Sequence, residues 1–249
     1  MSGNIMQVVD LAHCENCAIR HRGLCSAASL KALAELNRIA NSHYYIAGQT
    51  IISEDVPVEF VANVVSGIVK LIKTMPDGRQ QIVGLLFPSD FVGRAFAKSW
   101  EFSAEAASDV ELCRLNRKAF EAIADRHPDL KQALLVSTLD ELDAAREWML
   151  LLGCKSAEEK VASFLMLLVR RSINAGCGRE AQPADPVFEL PVNRADIAGY
   201  LGMTVETVSR QISRLKAERI IKLTDIRHYT VPDLNRLADL AGQEPPVWA

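Results

Sequence analysis

The 249-residue sequence lacks any apolar run long enough to cross a membrane. Its longest apolar stretch, residues 161–169, contains Ser163 and is far shorter than the ~20 residues that a membrane-spanning helix needs. The N-terminus also lacks the basic stretch and following apolar stretch that are typical of a secretory signal. We therefore expect a cytoplasmic protein without a membrane partner.

The sequence also lacks the common catalytic motifs. It contains no glycine-rich phosphate-binding loop, no G-x-S-x-G, no H-E-x-x-H and no G-x-G-x-x-G that opens a helix after a strand. No acid and base are placed by a recognisable motif. We therefore do not expect an enzyme.

The whole chain lacks a large excess of positive or negative charge. Lys and Arg number 28 and Asp and Glu number 31, which gives a formal charge of -3. Positive charge is instead concentrated between residues 191 and 232, where seven Lys and Arg residues stand against four Asp and Glu residues. A local basic excess of this kind is typical of a surface that meets a phosphate backbone.

Short alternating segments occupy residues 43–115. Examples are residues 61–65, 68–72 and 81–86, and Gly and Pro residues separate them. Short β-branched strands with turn residues between them predict an antiparallel barrel or roll.

A long helical segment follows, from Arg117 to Leu152, with a break near His127 and Pro128. Within it, residues recur at alternating steps of three and four, which is the spacing of a helix pair. These residues are Leu135, Thr138, Leu142, Ala145 and Met149. The stripe could pack on its own barrel, but the small Thr138 and Ala145 favour close approach of the same helix from a second copy. A second helix is predicted from Ala157 to about Asn174.

Residues 193–215 predict a helix, a tight turn at Gly202 and a second helix. In the second helix, Val205, Val208, Ile212 and Leu215 form an apolar face, and a polar face lies opposite. The candidate DNA-contacting residues are Thr204, Glu206, Ser209, Arg210, Ser213 and Arg214. Residues 221–223 and 228–231 alternate like a two-stranded wing. A helix-turn-helix that serves only protein contacts is the alternative.

Three of the six cysteines lie within twelve residues of one another near the N-terminus. The six are Cys14, Cys17, Cys25, Cys113, Cys154 and Cys177. A large chain without an export signal has little use for disulfides, so this density indicates metal or redox chemistry.

The succession of a β-roll, a long helix and a winged helix-turn-helix resembles the CRP/FNR family of bacterial transcription regulators over essentially the whole chain. Residues 202–210 resemble the FNR branch, because Glu206, Ser209 and Arg210 form its E-x-x-S-R pattern. The resemblance implies an α+β fold with a jelly-roll-like antiparallel β-roll and a winged helix-turn-helix. It divides the chain into a cysteine-rich segment (1–28), the roll (29–125), a dimerisation helix (126–153) and the DNA-binding domain (154–249).

The same resemblance implies an oxygen-labile [4Fe-4S] cluster on Cys14, Cys17, Cys25 and Cys113, with one thiolate for each iron. The loop before Cys25 is longer than in the most familiar FNR spacing. Structural zinc on the same cysteines and a thiol redox switch are the alternatives. Cys154 and Cys177 match no such pattern and are interpreted as ordinary thiols.

The resemblance further implies a homodimer that binds double-stranded DNA at an inverted repeat near TTGAT-N4-ATCAA when the cluster is intact. RNA polymerase is the expected second partner, and the turn at Pro76, Asp77, Gly78 and Arg79 is the candidate contact. A DNA-binding repressor and a metal-storing interaction protein are the competing classes.

A cyclic nucleotide is not expected as the effector. The cyclic-nucleotide branch uses a Gly-Glu and an Arg-Ser-Ala in its phosphate pocket, whereas this chain has Gly93-Arg94 and Phe102-Ser103-Ala104 at the matching places.

Overall fold

The computed structural model describes residues 14, 16–174 and 186–246. The chain divides into two compact units, of which the first contains residues up to 69 together with 86–142. The second contains residues 70–85 together with 143–249. Cys177 and residues 1–13 of the predicted cysteine-rich segment lie outside the described residues. Within the described part of the chain, no helix is both long enough and apolar enough to cross a membrane.

Within the described residues, two helices that the sequence analysis did not assign precede the first strand. They are α1 (Gly23–Ala27) and α2 (Leu30–Ile39). Ser29 caps α2, since its hydroxyl accepts a hydrogen bond from the amide of Ala32. Leu36 anchors α2 in the core of the first unit.

Eight strands follow within the described residues. They are β1 (Ala40–Tyr45), β2 (Thr50–Ile52), β3 (Phe60–Ser66), β4 (Val69–Thr74), β5 (Gln80–Leu86), β6 (Phe91–Val92), β7 (Ser103–Ala106) and β8 (Val110–Asn116). One antiparallel sheet has the order β1-β8-β3-β6. In its register, Cys113 lies opposite Ser42 on one side and Asn63 on the other. β2 pairs with β7, and β4 pairs with β5.

The turn between β3 and β4 requires glycine. Gly67 has a φ of 78°, and a Cβ added there would lie 2.0 Å from the carbonyl oxygen of Asp109. A side chain at this position is therefore excluded by the backbone that faces it.

Two helices continue the chain, α3 (Arg117–Arg126) and α4 (Pro128–Cys154). Asn116 caps α3 by accepting from the amide of Ala119 at 3.1 Å. Pro128 cannot donate a backbone hydrogen bond but suits the first position of a helix, so one helix ends and the next begins here. The predicted break near His127 and Pro128 is confirmed.

The second unit contains the predicted C-terminal elements. Its helices and strands beyond α4 are α5 (Ala157–Asn174), β9 (Val187–Glu189), α6 (Arg194–Leu201), α7 (Val205–Ala217), β10 (Lys222–Leu223), β11 (His228–Thr230) and α8 (Leu234–Ala241). The predicted wing is confirmed as β10 and β11, but β9 adds a third strand in the order β10-β11-β9. Neither β9 nor α8 was assigned from the sequence. The buried Tyr229 ties this sheet to α5, since its hydroxyl donates to the carbonyl of Leu165 at 3.0 Å.

Candidate functional site

The first candidate site is a cavity in the first unit that is lined by four cysteines. Its volume is about 20 Å³. Cys14 and Cys17 precede α1, Cys25 lies within α1, and Cys113 lies in β8. The remaining lining residues are Ile19, Arg20, Leu33 and Asn63. The structure therefore brings together all four cysteines that the family resemblance had nominated.

Backbone hydrogen bonds hold the segment before α1 in turns around this cavity. The amide of Cys17 donates to the carbonyl of Cys14 at 3.3 Å, and the amide of Arg20 donates to the carbonyl of Cys17 at 3.1 Å. The amide of Cys14 in turn donates to the side-chain oxygen of Asn37 in α2 at 3.0 Å. This last contact joins the cysteine segment to α2.

The cavity is electrostatically unfavourable for free thiolates. Burial, and after it the neighbouring cysteines, raise the pKa of Cys25 and of Cys113 to about 12. The pKa of Cys14 is also raised, first by burial and then by Cys17, while Arg20 acts in the opposite direction. Reactive free cysteines instead have a lowered pKa. In the metal-free chain, Cys25 and Cys113 therefore lack this activating shift.

The four cysteines around the cavity have the donor chemistry of a metal centre. All five cysteines within the described residues are free thiols. In the same part of the chain, no group of three or more Cys, His, Asp or Glu side chains is arranged to hold a metal ion. A tetrahedral zinc ion holds each sulfur at about 2.3 Å, whereas each cysteine of a [4Fe-4S] cluster binds a different iron. Four thiols around one cavity match the number and the chemistry of the ligands that either centre needs.

Asn63 is a cavity residue that sequence reasoning missed. Its side-chain Nδ2 lies 3.9 Å from Sγ of Cys25. The available signal was an asparagine in the middle of the otherwise apolar stretch of residues 60–65, because asparagine is depleted in strands.

The second candidate site is the exposed face of α7 in the second unit. Thr204 caps this helix, and its hydroxyl accepts from the amide of Thr207 at 3.2 Å. Val208, Ile212 and Leu215 are buried as predicted. The candidate DNA-contacting residues that follow Thr204 are all exposed: Glu206, Ser209, Arg210, Ser213 and Arg214. A recognition helix needs such a free polar face beside its N-terminus.

One residue of the predicted apolar face does not follow the pattern. Val205 is 40% exposed, because it is the first residue of α7 and has no preceding turn to cover it. Gly202 has the predicted role, since its left-handed backbone, with a φ of 62°, ends α6.

The charged residues of α7 have different surroundings. The pKa of Glu206 is lowered by its own backbone amide and by the Thr204 hydroxyl, so its carboxylate stays an ionised acceptor. Arg214 is paired with two carboxylates, Glu218 at 2.8 Å and Glu158 at 3.0 Å. The charge of Arg214 is therefore partly compensated within the protein.

The third candidate surface is the predicted stripe along α4, and it is uncovered. Leu135, Leu142 and Met149 are 59%, 44% and 58% exposed, and Thr138 and Ala145 are also exposed. The alternative that the stripe packs on its own barrel therefore has no support in the described chain. An apolar stripe of this kind in water is typical of an interface.

Comparison with known proteins places the chain in a family. A cyclic nucleotide-binding domain model matches residues 42–127, and a Crp-like helix-turn-helix domain model matches residues 159–240. The transcriptional activator protein FnrL of Cereibacter sphaeroides is 46% identical, over 94% of both chains. A probable transcriptional activator of Rhizobium leguminosarum bv. viciae is 45% identical, over 90% of this chain and 91% of the relative. The structure of FixK2 from Bradyrhizobium japonicum has a TM-score of 0.73 and 33% identity, and the match covers 84% of this chain and 100% of that one.

The chain belongs to the CRP/FNR family. Membership confirms the predicted α+β fold and the DNA-binding helix-turn-helix. CRP/FNR proteins are transcription regulators, so the expectation that the chain is not an enzyme is also confirmed.

The residues at the places of the cyclic-nucleotide pocket make contacts within the roll. Arg94, at the place where the cyclic-nucleotide branch has an acid, forms an ion pair with Glu101. Ser103 accepts a hydrogen bond from the amide of Glu54 at 3.1 Å, and Ala104 is buried. The matching domain model is one for cyclic nucleotides, and the expectation that none binds here stays a prediction.

The candidate polymerase-contacting residues form the exposed turn between β4 and β5. The amide of Met75 donates to the carbonyl of Arg79 at 2.8 Å, and Arg79 Nε lies 2.8 Å from a carboxylate oxygen of Asp77. Pro76 and Gly78 are exposed as well. The predicted turn is confirmed, and its contact with polymerase stays a prediction.

Proposed function

We propose that this CRP/FNR regulator is an oxygen-responsive transcriptional activator that holds a [4Fe-4S] cluster on Cys14, Cys17, Cys25 and Cys113. The observation that carries the proposal is that these four thiols, which come from three places in the fold, line one cavity. When bound, the cluster supplies an oxygen-labile link between the N-terminal segment and β8. The similar protein of Cereibacter sphaeroides is named a transcriptional activator, which supports activation as the outcome.

The cysteine cavity is connected to the dimerisation helix through α2. On the cavity side of α2, Leu33 and Ala34 pack against Cys14, and Asn37 accepts from the Cys14 amide. A shift of the cysteine segment would therefore change the packing of α2.

α2 also contacts α3 and the beginning of α4. The amide of Ser29, at the start of α2, donates to Oδ2 of Asp129 at 2.6 Å. Glu35 lies 3.1 Å from Nε2 of His127 and also pairs with Arg126. Leu36 belongs to the same core cluster as Leu130. Loss of the cluster would thus change the packing of α2, and through α2 the position of the beginning of α4.

Dimerisation with a second copy would cover the exposed stripe of α4. The stripe contains Thr138 and Ala145, so its apolar area is modest. The monomer–dimer equilibrium is therefore sensitive to the position of the N-terminal end of α4. Shifting such a balance from mostly dimer to mostly monomer takes about 5.5 kcal/mol. The binding free energy of a metal centre that couples to folding covers this difference.

Two copies would present two α7 helices to an inverted repeat near TTGAT-N4-ATCAA, with half-sites about one helical turn apart. Arg210 would donate two hydrogen bonds to a guanine, Glu206 would accept from a cytosine amino group, and Ser209 would meet a thymine. Thr204, Ser213 and Arg214 would contact the DNA beside this trio. RNA polymerase would contact the exposed turn of residues 76–79.

A structural zinc ion on the same cysteines is the second candidate. It uses the same four sulfur donors, so metal analysis is what separates it from the cluster. A colourless protein with one zinc for each chain would favour this candidate.

The decisive experiment is iron and sulfide analysis of protein purified without oxygen, with DNA binding measured under argon and in air. We expect a brown, dimeric protein with about four iron and four sulfide for each chain that releases the operator when air bleaches it. Cluster-free protein that binds the operator equally well under argon and in air would overturn the proposal.

A further inference from the structure

A buried asparagine faces the cysteine cavity. Asn63 lies in the middle of β3, is 2% exposed and lines the cavity with the four cysteines. In the sheet register its partner is Cys113, so the two side chains are on one face of the sheet. Its Nδ2 lies 3.9 Å from Sγ of Cys25. The amide of Asn63 is therefore beside two of the proposed ligands.

Without a bound cluster, an asparagine at this position contributes little to the stability of the folded chain. Oδ1 of Asn63 is buried and has no hydrogen-bond partner within the described residues. Turning the amide over would only exchange which of its two ends lacks a partner. A buried polar atom of this kind destabilises a folded protein, and native structures rarely keep one without a use.

We infer that Asn63 is a positioning residue for the cluster, and that its side-chain amide donates a hydrogen bond to the sulfur of Cys25. The inference rests on the proposed function, because it needs a deprotonated, iron-bound Cys25. A thiolate is a stronger acceptor than a thiol, since hydrogen bonds to an ionised group are about twice as strong. The amide therefore stabilises the loaded site much more than the empty one.

The closing experiment compares two neighbouring truncations in β3. Asn63→Ala removes the amide from the cavity. Val64→Ala is the matched control, because Val64 is fully buried but points to the opposite face of the strand and does not line the cavity. Asn63→Leu is a third variant, which keeps the volume of the side chain and removes its polar atoms.

Each variant is loaded with iron and sulfide under argon and then exposed to air, and the loss of visible absorbance is followed together with retained iron. We expect both Asn63 variants to lose the cluster on the order of 10-fold faster than the unchanged protein, because removing a hydrogen-bond partner of a metal ligand weakens metal binding by at least about this factor. Val64→Ala should stay within about 2-fold of the unchanged protein, because it lacks this contact.

Unfolding of the cluster-free proteins gives the second readout. Asn63→Leu removes a buried unsatisfied oxygen, so it should unfold at the same denaturant concentration as the unchanged chain or at a higher one. A shorter cluster lifetime in a chain that is no less stable separates cluster positioning from a general packing role.

Two results would overturn the inference. One is a cluster lifetime in Asn63→Ala and Asn63→Leu equal to that of the unchanged protein, and the other is an equal acceleration in Val64→Ala. An unchanged protein that takes up no iron and sulfide would instead remove the proposed function, and the inference with it.

Discussion

Lys70 and Asp196 form a largely buried ion pair within the second unit, with Nζ 2.8 Å from Oδ1. Lys70 lies in β4, whereas Asp196 lies in the first turn of α6. The side-chain amide of Asn193 donates to the other oxygen of Asp196 at 2.8 Å. Gln81 in β5 donates to the carbonyl of Gly199 in α6. The β4–β5 hairpin is therefore fastened to the first helix of the helix-turn-helix.

Replacement of Lys70 by Ala should destabilise the second unit. The carboxylate of Asp196 would remain buried beside a neutral amide, and removing one partner of a buried pair costs about 3–5 kcal/mol. Denaturant unfolding of the full chain, followed by far-UV circular dichroism, measures this loss.

Arg79→Ala is the matched control for Lys70→Ala. It breaks the pair with Asp77 in the turn of the same hairpin, where both side chains are more than half exposed. Exposed pairs contribute about 0–1 kcal/mol. If the two variants lost equal stability, the Lys70–Asp196 pair would not be what holds the hairpin.

Replacement of Arg210 by Ala should weaken specific DNA binding far more than binding to random DNA. The loss of a bidentate contact to guanine costs about 1–3 kcal/mol for each half-site and relaxes the preference at that base. Fluorescence anisotropy with operator and scrambled duplexes at one salt concentration measures both affinities.

Arg214→Ala offers the comparison, since Arg214 already pairs with Glu158 and Glu218. We expect a smaller loss that is similar for both duplexes. Equal weakening of both duplexes by Arg210→Ala would instead identify Arg210 as a phosphate contact.

Replacement of Leu142 by Asp should produce a folded monomer. Two like charges would lose water at the α4 seam without gaining partners, at a cost of about 3–5 kcal/mol. Analytical ultracentrifugation gives the association state, and operator binding should fall with it. Ala144→Asp, at an exposed position off the stripe, should leave the dimer intact. A Leu142→Asp protein that stays dimeric would mean that another surface joins the two copies.

Replacement of any one of Cys14, Cys17, Cys25 and Cys113 by Ser should abolish the response of DNA binding to oxygen. A serine hydroxyl is a poor substitute for a thiolate ligand, so each change removes one corner of the site. Cys154→Ser and Cys177→Ser serve as controls and should keep the response. Loss of the response in either control would show that the ligand set has been assigned wrongly.

Stability should fall in acid partly through Glu35. Hydrogen bonds from Arg126 and His127 lower the pKa of Glu35 below its usual value in the folded chain. The carboxylate therefore stabilises the fold above the ordinary glutamate pKa of about 4.3, and this contribution is lost as the pH falls through the lowered folded value. Glu35→Gln should be less stable than the unchanged chain at neutral pH, and the difference should close in acid. Unfolding curves across this range test it, and a gap that stays constant with pH would contradict it.

Several features were predictable because their signals are local. The break between α3 and α4 follows from Pro128, the cap of α7 from Thr204, and the end of α6 from Gly202. The polar face of α7 follows from helical periodicity alone. Each of these signals lies within a few residues of the element that it specifies.

Other features depend on contacts between distant residues. The sequence nominated four cysteines through a family resemblance, but only the packing of the segment before α1 against β8 brings them around one cavity. The opposition of Asn63 and Cys113 is a matter of strand register, and a one-residue slip would turn the side chain to the other face. The position of α2 between the cavity and α4 likewise depends on packing on both of its sides. The sequence by itself determined which residues bear the chemistry, whereas the tertiary structure decided which of them meet, because register and packing arise from contacts across the whole unit.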